Sequence, residues 1–200
     1  AVVMDVNTGA VLACATYPSY DLNTYYQNYE ALSKDKSSPL WNRALMSTYE
    51  PGSTMKPAIA AAGLEEGVIT ETSKFYCSHI YRQFTDTTFK CLGSHGWIDV
   101  KNALNQSCNI YFYETGRLLG INRMNDYCTR FGLGQKTGVE INESSGVLAG
   151  IAYREAHGGT WYPGDTVQAA IGQSDILFTP IQLCSYVSTI ANGGTRYRAH

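Results

Sequence analysis

Residues 49–57, Tyr49-Glu50-Pro51-Gly52-Ser53-Thr54-Met55-Lys56-Pro57, constrain the fold more than any other stretch of the chain. Pro51 fixes its own φ and biases Glu50 towards an extended backbone, while Gly52 permits a tight turn. Ser53 is therefore expected in the first turn of a helix that continues through Ile59-Ala60-Ala61-Ala62-Gly63-Leu64. Lys56 follows three positions later, a spacing that stacks two helical side chains on one face. An amine held there could take the proton of a serine nucleophile and return it, once burial or a neighbouring cation lowers its pKa. The competing reading is structural. Serine is a common N-cap and a lysine one turn on is commonly solvated, so S-x-x-K by itself favours packing.

At 200 residues the chain is long enough for one sizeable core, and a single domain is expected. A formal net charge of -2, with no concentration of Lys and Arg, gives no case for nucleic acid or a membrane surface as partner. No apolar run approaches the ~20 residues of a membrane span, so the chain as given is expected to be soluble. It opens in strand-like sequence, Ala1-Val2-Val3-Met4-Asp5-Val6, and its last ten residues read as a turn leading into another strand. Both ends are expected to be interior to a longer protein.

The six cysteines form no C-x-x-C pair, and no histidine lies at zinc-finger spacing, so no metal site is expected. Cys14, Cys128 and Cys184 read as small buried hydrophobes. Cys77 and Cys91 flank a polar stretch that a disulfide could close, for ~3 kcal/mol in the chain-entropy model. The sequence leaves that bond open against two free thiols, because nothing in it sets the redox compartment.

Apolar, β-branched runs on either side of Asn7-Thr8-Gly9 predict an antiparallel hairpin. The polar stretch from about residue 23 to 38 predicts a surface excursion with at most a short helix. Residues 76–90 read as an exposed hairpin, and Asp99 is placed to cap a helix that ends near Ser107-Cys108-Asn109. Further helices are expected over 110–119 and 121–131, with a loop at 146–163 and a next segment, 167–173, started by Asp165 or Thr166. Thr179-Pro180 opens a last, long helix to Ala191. Strands, then many helices, then strands again argue for an α+β fold.

With these pieces placed, the chain resembles the transpeptidase domain of a class B penicillin-binding protein of the elongation type. The likeness rests on an ordered set of blocks covering nearly the whole sequence. These are Asp5-x-x-Thr8-Gly9-Ala10-Val11-Leu12-Ala13, Pro18-Ser19-Tyr20-Asp21, Asn42-Arg43-Ala44 and the 49–57 stretch. They continue through His95-Gly96, Ser107-Cys108-Asn109, Phe131-Gly132-Leu133-Gly134, Ala170-Ile171-Gly172-Gln173, Thr179-Pro180-x-Gln182-Leu183 and Ala191-Asn192-Gly193-Gly194. Each block is weak alone, but the ordered set is specific.

The resemblance implies a penicillin-binding, serine β-lactamase-like fold: an antiparallel sheet with a helical subdomain, present as a partial domain over residues 1–200. It implies a peptidoglycan D,D-transpeptidase that cross-links stem peptides through a serine acyl-enzyme and is acylated by β-lactams, with no cofactor. Ser53 would attack the carbonyl of the penultimate D-Ala, Lys56 would act as its base, and Ser107 would relay a proton to the leaving amine. Asn109 would orient Lys56 and bind the substrate amide, the Ser53 N–H would supply half an oxyanion hole, and Cys108 would only pack. Lys136-Thr137-Gly138 matches the family's third motif, yet it follows the Phe131–Gly134 turn, where a similar Gln-Lys-Thr-Gly is common. The functional K-[ST]-G is expected after the Ala191–Gly194 turn, outside these residues. A whole protein of this kind would be anchored by an N-terminal helix, face the cell-wall side of the bacterial membrane and partner a glycosyltransferase. Two readings compete: a serine β-lactamase or penicillin-sensing receptor, for which Glu155 is only a lone carboxylate, and an inactive fragment or binding module, because the third motif is missing.

Overall fold

The computed structural model describes residues 1–200. In chain order its elements are β1 (Val2–Met4), β2 (Val11–Cys14), α1 (Tyr25–Lys34), α2 (Arg43–Met46), α3 (Lys56–Glu65), β3 (Phe75–Cys77), β4 (Ile80–Tyr81) and β5 (Phe89–Lys90). They continue with β6 (Gly96–Ile98), α4 (Val100–Asn105), α5 (Asn109–Leu119), α6 (Ile121–Arg130), α7 (Ile151–Ala156), α8 (Pro163–Ala169) and α9 (Pro180–Ala191). Short 3-10 turns at Leu22–Thr24 and Gly52–Met55 lead into α1 and α3. The strands form three separate two-stranded antiparallel sheets, so the α+β class holds.

Within these residues two compact units can be distinguished, and the chain passes between them four times. The first unit comprises Ala1–Tyr49, Phe131–Gly146 and Phe178–His200. Its hairpin pairs β1 with β2, as the apolar runs on either side of Asn7-Thr8-Gly9 predict. Met4, Leu45, Ile181 and Ala199 form its core, with Val2, Val11, Met46, Val139 and Cys184 packed around them. Helix α9 supplies much of that core, and its start is fastened by a capping box: Thr179 Oγ1 accepts the Gln182 N–H, and Gln182 Oε1 accepts the Thr179 N–H. The same Gln182 amide donates to the Gln135 and Ser145 carbonyls, which ties the 131–146 segment to the helix. Residues 195–200 run extended beside the hairpin turn, bonded to Gly9 and Val11, but form no strand, contrary to expectation.

The excursion at 23–38 is a correction. It holds a ten-residue helix, α1, although none of its residues is buried. Edge-to-face contacts of Tyr25 with Tyr26 and Tyr29 take the place of a buried stripe.

The second unit comprises Glu50–Arg130 and Val147–Leu177. Helix α5 is its axis: Ile110, Tyr111, Phe112 and Tyr113 are buried in succession, and α3, α6, α8 and β3 pack around the helix. A methyl group at Gly116 would lie 2.3 Å from the Ala170 Cβ, so α5 needs a residue without a side chain there. Asp99 caps α4, as predicted, by accepting the Asn102 N–H at 2.9 Å. The exposed hairpin expected over 76–90 is instead the β4–β5 pair nested inside the β3–β6 pair. Helix α7 interrupts the loop expected at 146–163, and α8 begins at Pro163, just before the start expected at Asp165 or Thr166.

Candidate active site

Gly52 adopts φ +54, a left-handed conformation that favours glycine, and its N–H donates to Gly172 O at 2.9 Å. This pins the turn from which Ser53 projects, exposed, at the entry to α3. Lys56, the first residue of α3, is only 2% exposed. Its Nζ lies 3.0 Å from Ser53 Oγ, 2.9 Å from Ser107 Oγ, 2.8 Å from Ser107 O and 2.6 Å from Asn109 Oδ1. Ser107 Oγ stands 3.0 Å from Ser53 Oγ, so the two hydroxyls and the amine are mutually in hydrogen-bond reach.

Ser107 holds φ +52, uncommon for a residue with a side chain, in the turn between α4 and α5. That conformation lets one residue present both its hydroxyl and its carbonyl to the same amine. The stoichiometry then matters. Ser107 O and Asn109 Oδ1 can only accept, so they consume two Lys56 donors. A neutral amine keeps one lone pair, and only the hydroxyls of Ser53 and Ser107 remain to face it. Burial pushes Lys56 below the ordinary lysine range, although the Cys91 and Cys108 sulfurs press the other way. All four residues singled out from the sequence, Ser53, Lys56, Ser107 and Asn109, are thus brought together within the second unit.

A group that the sequence did not reveal lies behind Asn109. Cys77, Cys91, His95 and Cys108 each contribute one ligand-type atom, and these lie within 4.8 Å of one another. His95 Nδ1 is 3.4 Å from Cys77 Sγ and 3.7 Å from Cys91 Sγ. A tetrahedral zinc with sulfur at ~2.3 Å needs donors roughly 3.8 Å apart, so three thiols and an imidazole at this spacing suit a closed, structural zinc-type site. The sequence offers no reason to expect a metal-competent group among the cysteines, and it reads Cys108 as packing only. The cluster also bears on the disulfide left open for Cys77 and Cys91: both are free thiols, directed into the cluster. The signal was invisible because the four residues come from β3, the end of β5, the turn before β6 and the turn before α5.

The thiols differ. Burial holds Cys108 up at about 12. Burial also works to raise Cys91, but hydrogen bonds from the Gly93, Asn109 and Ile110 backbone outweigh it and leave the thiol below its usual range.

Lys136-Thr137-Gly138 has another task. The Thr137 hydroxyl and the Gly138 N–H both donate to the buried Glu143 carboxylate at 2.8 Å, in the first unit. Those polar groups fold the loop onto Glu143. Glu155 is exposed on α7.

The blocks identified in the sequence and this constellation of serine, lysine, serine and asparagine converge on one class. The chain belongs to the family of penicillin-binding protein transpeptidase domains, whose sequence profile matches residues 1–200. Among its relatives, the peptidoglycan D,D-transpeptidase MrdA of Salmonella typhimurium (strain SL1344) is 35% identical over 211 aligned residues, covering 99% of this chain and 33% of that protein. The chain therefore spans about a third of the length of that relative. Among solved structures, PBP2 of Pseudomonas aeruginosa in complex with WCK 5153 superposes with a TM-score of 0.93 at 36% identity, covering 100% of this chain and 48% of that one. A structure described as coordinating polymerization and crosslinking in a peptidoglycan synthase complex matches with a TM-score of 0.91 at 37% identity, over 100% of this chain and 36% of its own.

Proposed function

We propose that this chain carries the acylation centre of a peptidoglycan D,D-transpeptidase, with Ser53 as nucleophile. The observation that carries the reading is the buried Lys56 amine, in contact with Ser53, Ser107 and Asn109 at once. Neutral Lys56 takes the Ser53 proton as Ser53 Oγ attacks the carbonyl of the penultimate D-Ala of a stem peptide. The proton passes to Ser107, within reach of both, and from there to the nitrogen of the departing D-Ala. The ester on Ser53 is then attacked by the amine of a second stem peptide, which loses its proton by the reverse route and leaves Ser53 free. In this reading the Ser53 N–H, in the turn that leads into α3, donates to the oxyanion. The partner of the substrate's terminal carboxylate is not assigned among these residues.

A β-lactam presents a strained amide to the same serine and leaves a covalent adduct. Facing the cell-wall side of the membrane, held by an anchor in the whole protein, fits a peptidoglycan substrate. No helix of this chain is long and apolar enough to cross a membrane. A glycosyltransferase partner for the whole protein is supported by the likeness to a peptidoglycan synthase complex.

The test is intact-mass spectrometry of the full-length protein incubated with a penicillin. A stable mass gain mapped to the Ser53 peptide, lost in Ser53→Ala, is expected. Absence of an adduct refutes the reading, and rapid release of hydrolysed drug would make the protein a β-lactamase.

A further inference from the structure

We infer that Cys91 is a positioning residue for acylation, acting through Asn109: its sulfur holds the first residue of α5 so that the Asn109 side-chain oxygen is aimed at Lys56. This rests on the transpeptidase reading above and adds to it a residue outside the serine–lysine–asparagine set.

The first N–H groups of a helix have no partner inside it. At the start of α5 the N-cap residue, Cys108, makes no side-chain cap bond. The need is met from another element: Cys91 Sγ, at the end of β5, accepts the Asn109 N–H at 3.3 Å. The preceding residue completes the bracket. Lys90 O accepts from Asn109 Nδ2 at 3.2 Å and from the Tyr113 hydroxyl at 3.2 Å.

A carbonyl oxygen can only accept, so the NH2 end of the Asn109 amide must face Lys90, and Oδ1 is left for Lys56 at 2.6 Å. With the amide flipped, two oxygens would oppose each other at Lys90 and an NH2 would confront the lysine nitrogen. Lys90 therefore selects the amide orientation and Cys91 fixes the main chain beneath it. Cys91 is itself held, because it is buried and its N–H donates to His79 O at 2.8 Å. Cys77, in the same cluster and equally buried, engages Gly93 O and His95 with its sulfur, so the bond to α5 is particular to Cys91.

The prediction separates positioning from mere packing. In the full-length protein, acylation by a fluorescent penicillin is followed over a range of concentrations to separate the binding constant from the acylation rate, and each variant's melting temperature is recorded. Cys91→Val fills the volume but accepts nothing; it should slow acylation about tenfold or more while leaving the binding constant within about twofold. Cys91→Ser keeps an acceptor for the Asn109 N–H and should recover the rate to within about threefold of the parent. Cys128→Val, at a buried thiol of α6 outside the cluster, should acylate at close to the parental rate. If Cys91→Val acylates like the parent, or if the Cys128 and Cys91 variants slow acylation equally, or if serine restores nothing, the inference is overturned. A parent protein that takes up no penicillin at Ser53 overturns the functional reading itself, and the role of Asn109 with it.

Discussion

Replacing Gly172 by alanine tests how tightly the catalytic turn is held from behind. Gly172 sits at φ +73, where a residue with a side chain costs about 1–2 kcal/mol. Its added Cβ would lie 2.3 Å from Gly52 O and 2.6 Å from Gly52 N. Ordinary contact begins near 3.4 Å, so one backbone must retreat by about 1 Å, and neither neighbour is a flexible side chain that could swing away. The same two residues share the bond from Gly52 N–H to Gly172 O, so the retreat also breaks what orients the turn. Ser53 is the next residue, and a displacement of ~1 Å at a reacting group can cost about a hundredfold in rate. The expected result is a melting temperature lower by roughly 2–8 °C, from ~1–2 kcal/mol in a protein of this size. Acylation by a fluorescent penicillin should fall far more than that loss of stability explains. A Gly172→Ala protein that labels within about threefold of the parent and melts at the same temperature would refute the reasoning.

Four further outcomes are expected. The acylation rate should rise with pH with a midpoint below 10.5, because burial lowers Lys56; Lys56→Arg, charged at every accessible pH, should abolish the rise, and a pH-independent rate would contradict it. The same shift bears on stability: the unfolded chain binds the Lys56 proton more tightly, so stability should increase with pH between the lowered native value and 10.5. Zinc added to chelator-treated protein should raise its melting temperature through the three thiols and His95, and His95→Ala should remove most of that gain; an unchanged melting curve in the parent would count against the site. Thr179→Ala removes the acceptor for the Gln182 N–H and should cost about 1 kcal/mol, read by denaturant melting, without changing penicillin labelling.

Local chemistry made much of the fold legible. Thr179-Pro180-x-Gln182 announces its capping box, Asp99 its helix, and Asn7-Thr8-Gly9 its hairpin, because each signal lies within four residues of its effect. The α1 helix escaped for the opposite reason: it buries nothing, so no apolar period marks it. The meeting of Ser53 and Lys56 follows from helical spacing, but Ser107 and Asn109 reach them across more than fifty positions, and only the family's block order foretold it. The thiol–imidazole cluster had neither aid. Its members sit on four separate segments, and no spacing rule anticipates a group assembled by the nesting of one strand pair inside another.

The three-segment construction of the first unit has a consequence for how the protein is made. Met4 and Leu45 leave the ribosome early, yet their core partner Ile181 is encoded some 136 positions after Leu45. At 5–20 residues per second that is a delay of about 7–27 s, during which β1 and α2 have no α9 to cover them. The helix-rich second unit, by contrast, has the contiguous run Glu50–Arg130 and can begin to collapse at once. Nascent chains stalled between these points should therefore expose the apolar residues of the first unit, and that interval is where a chaperone would find its substrate.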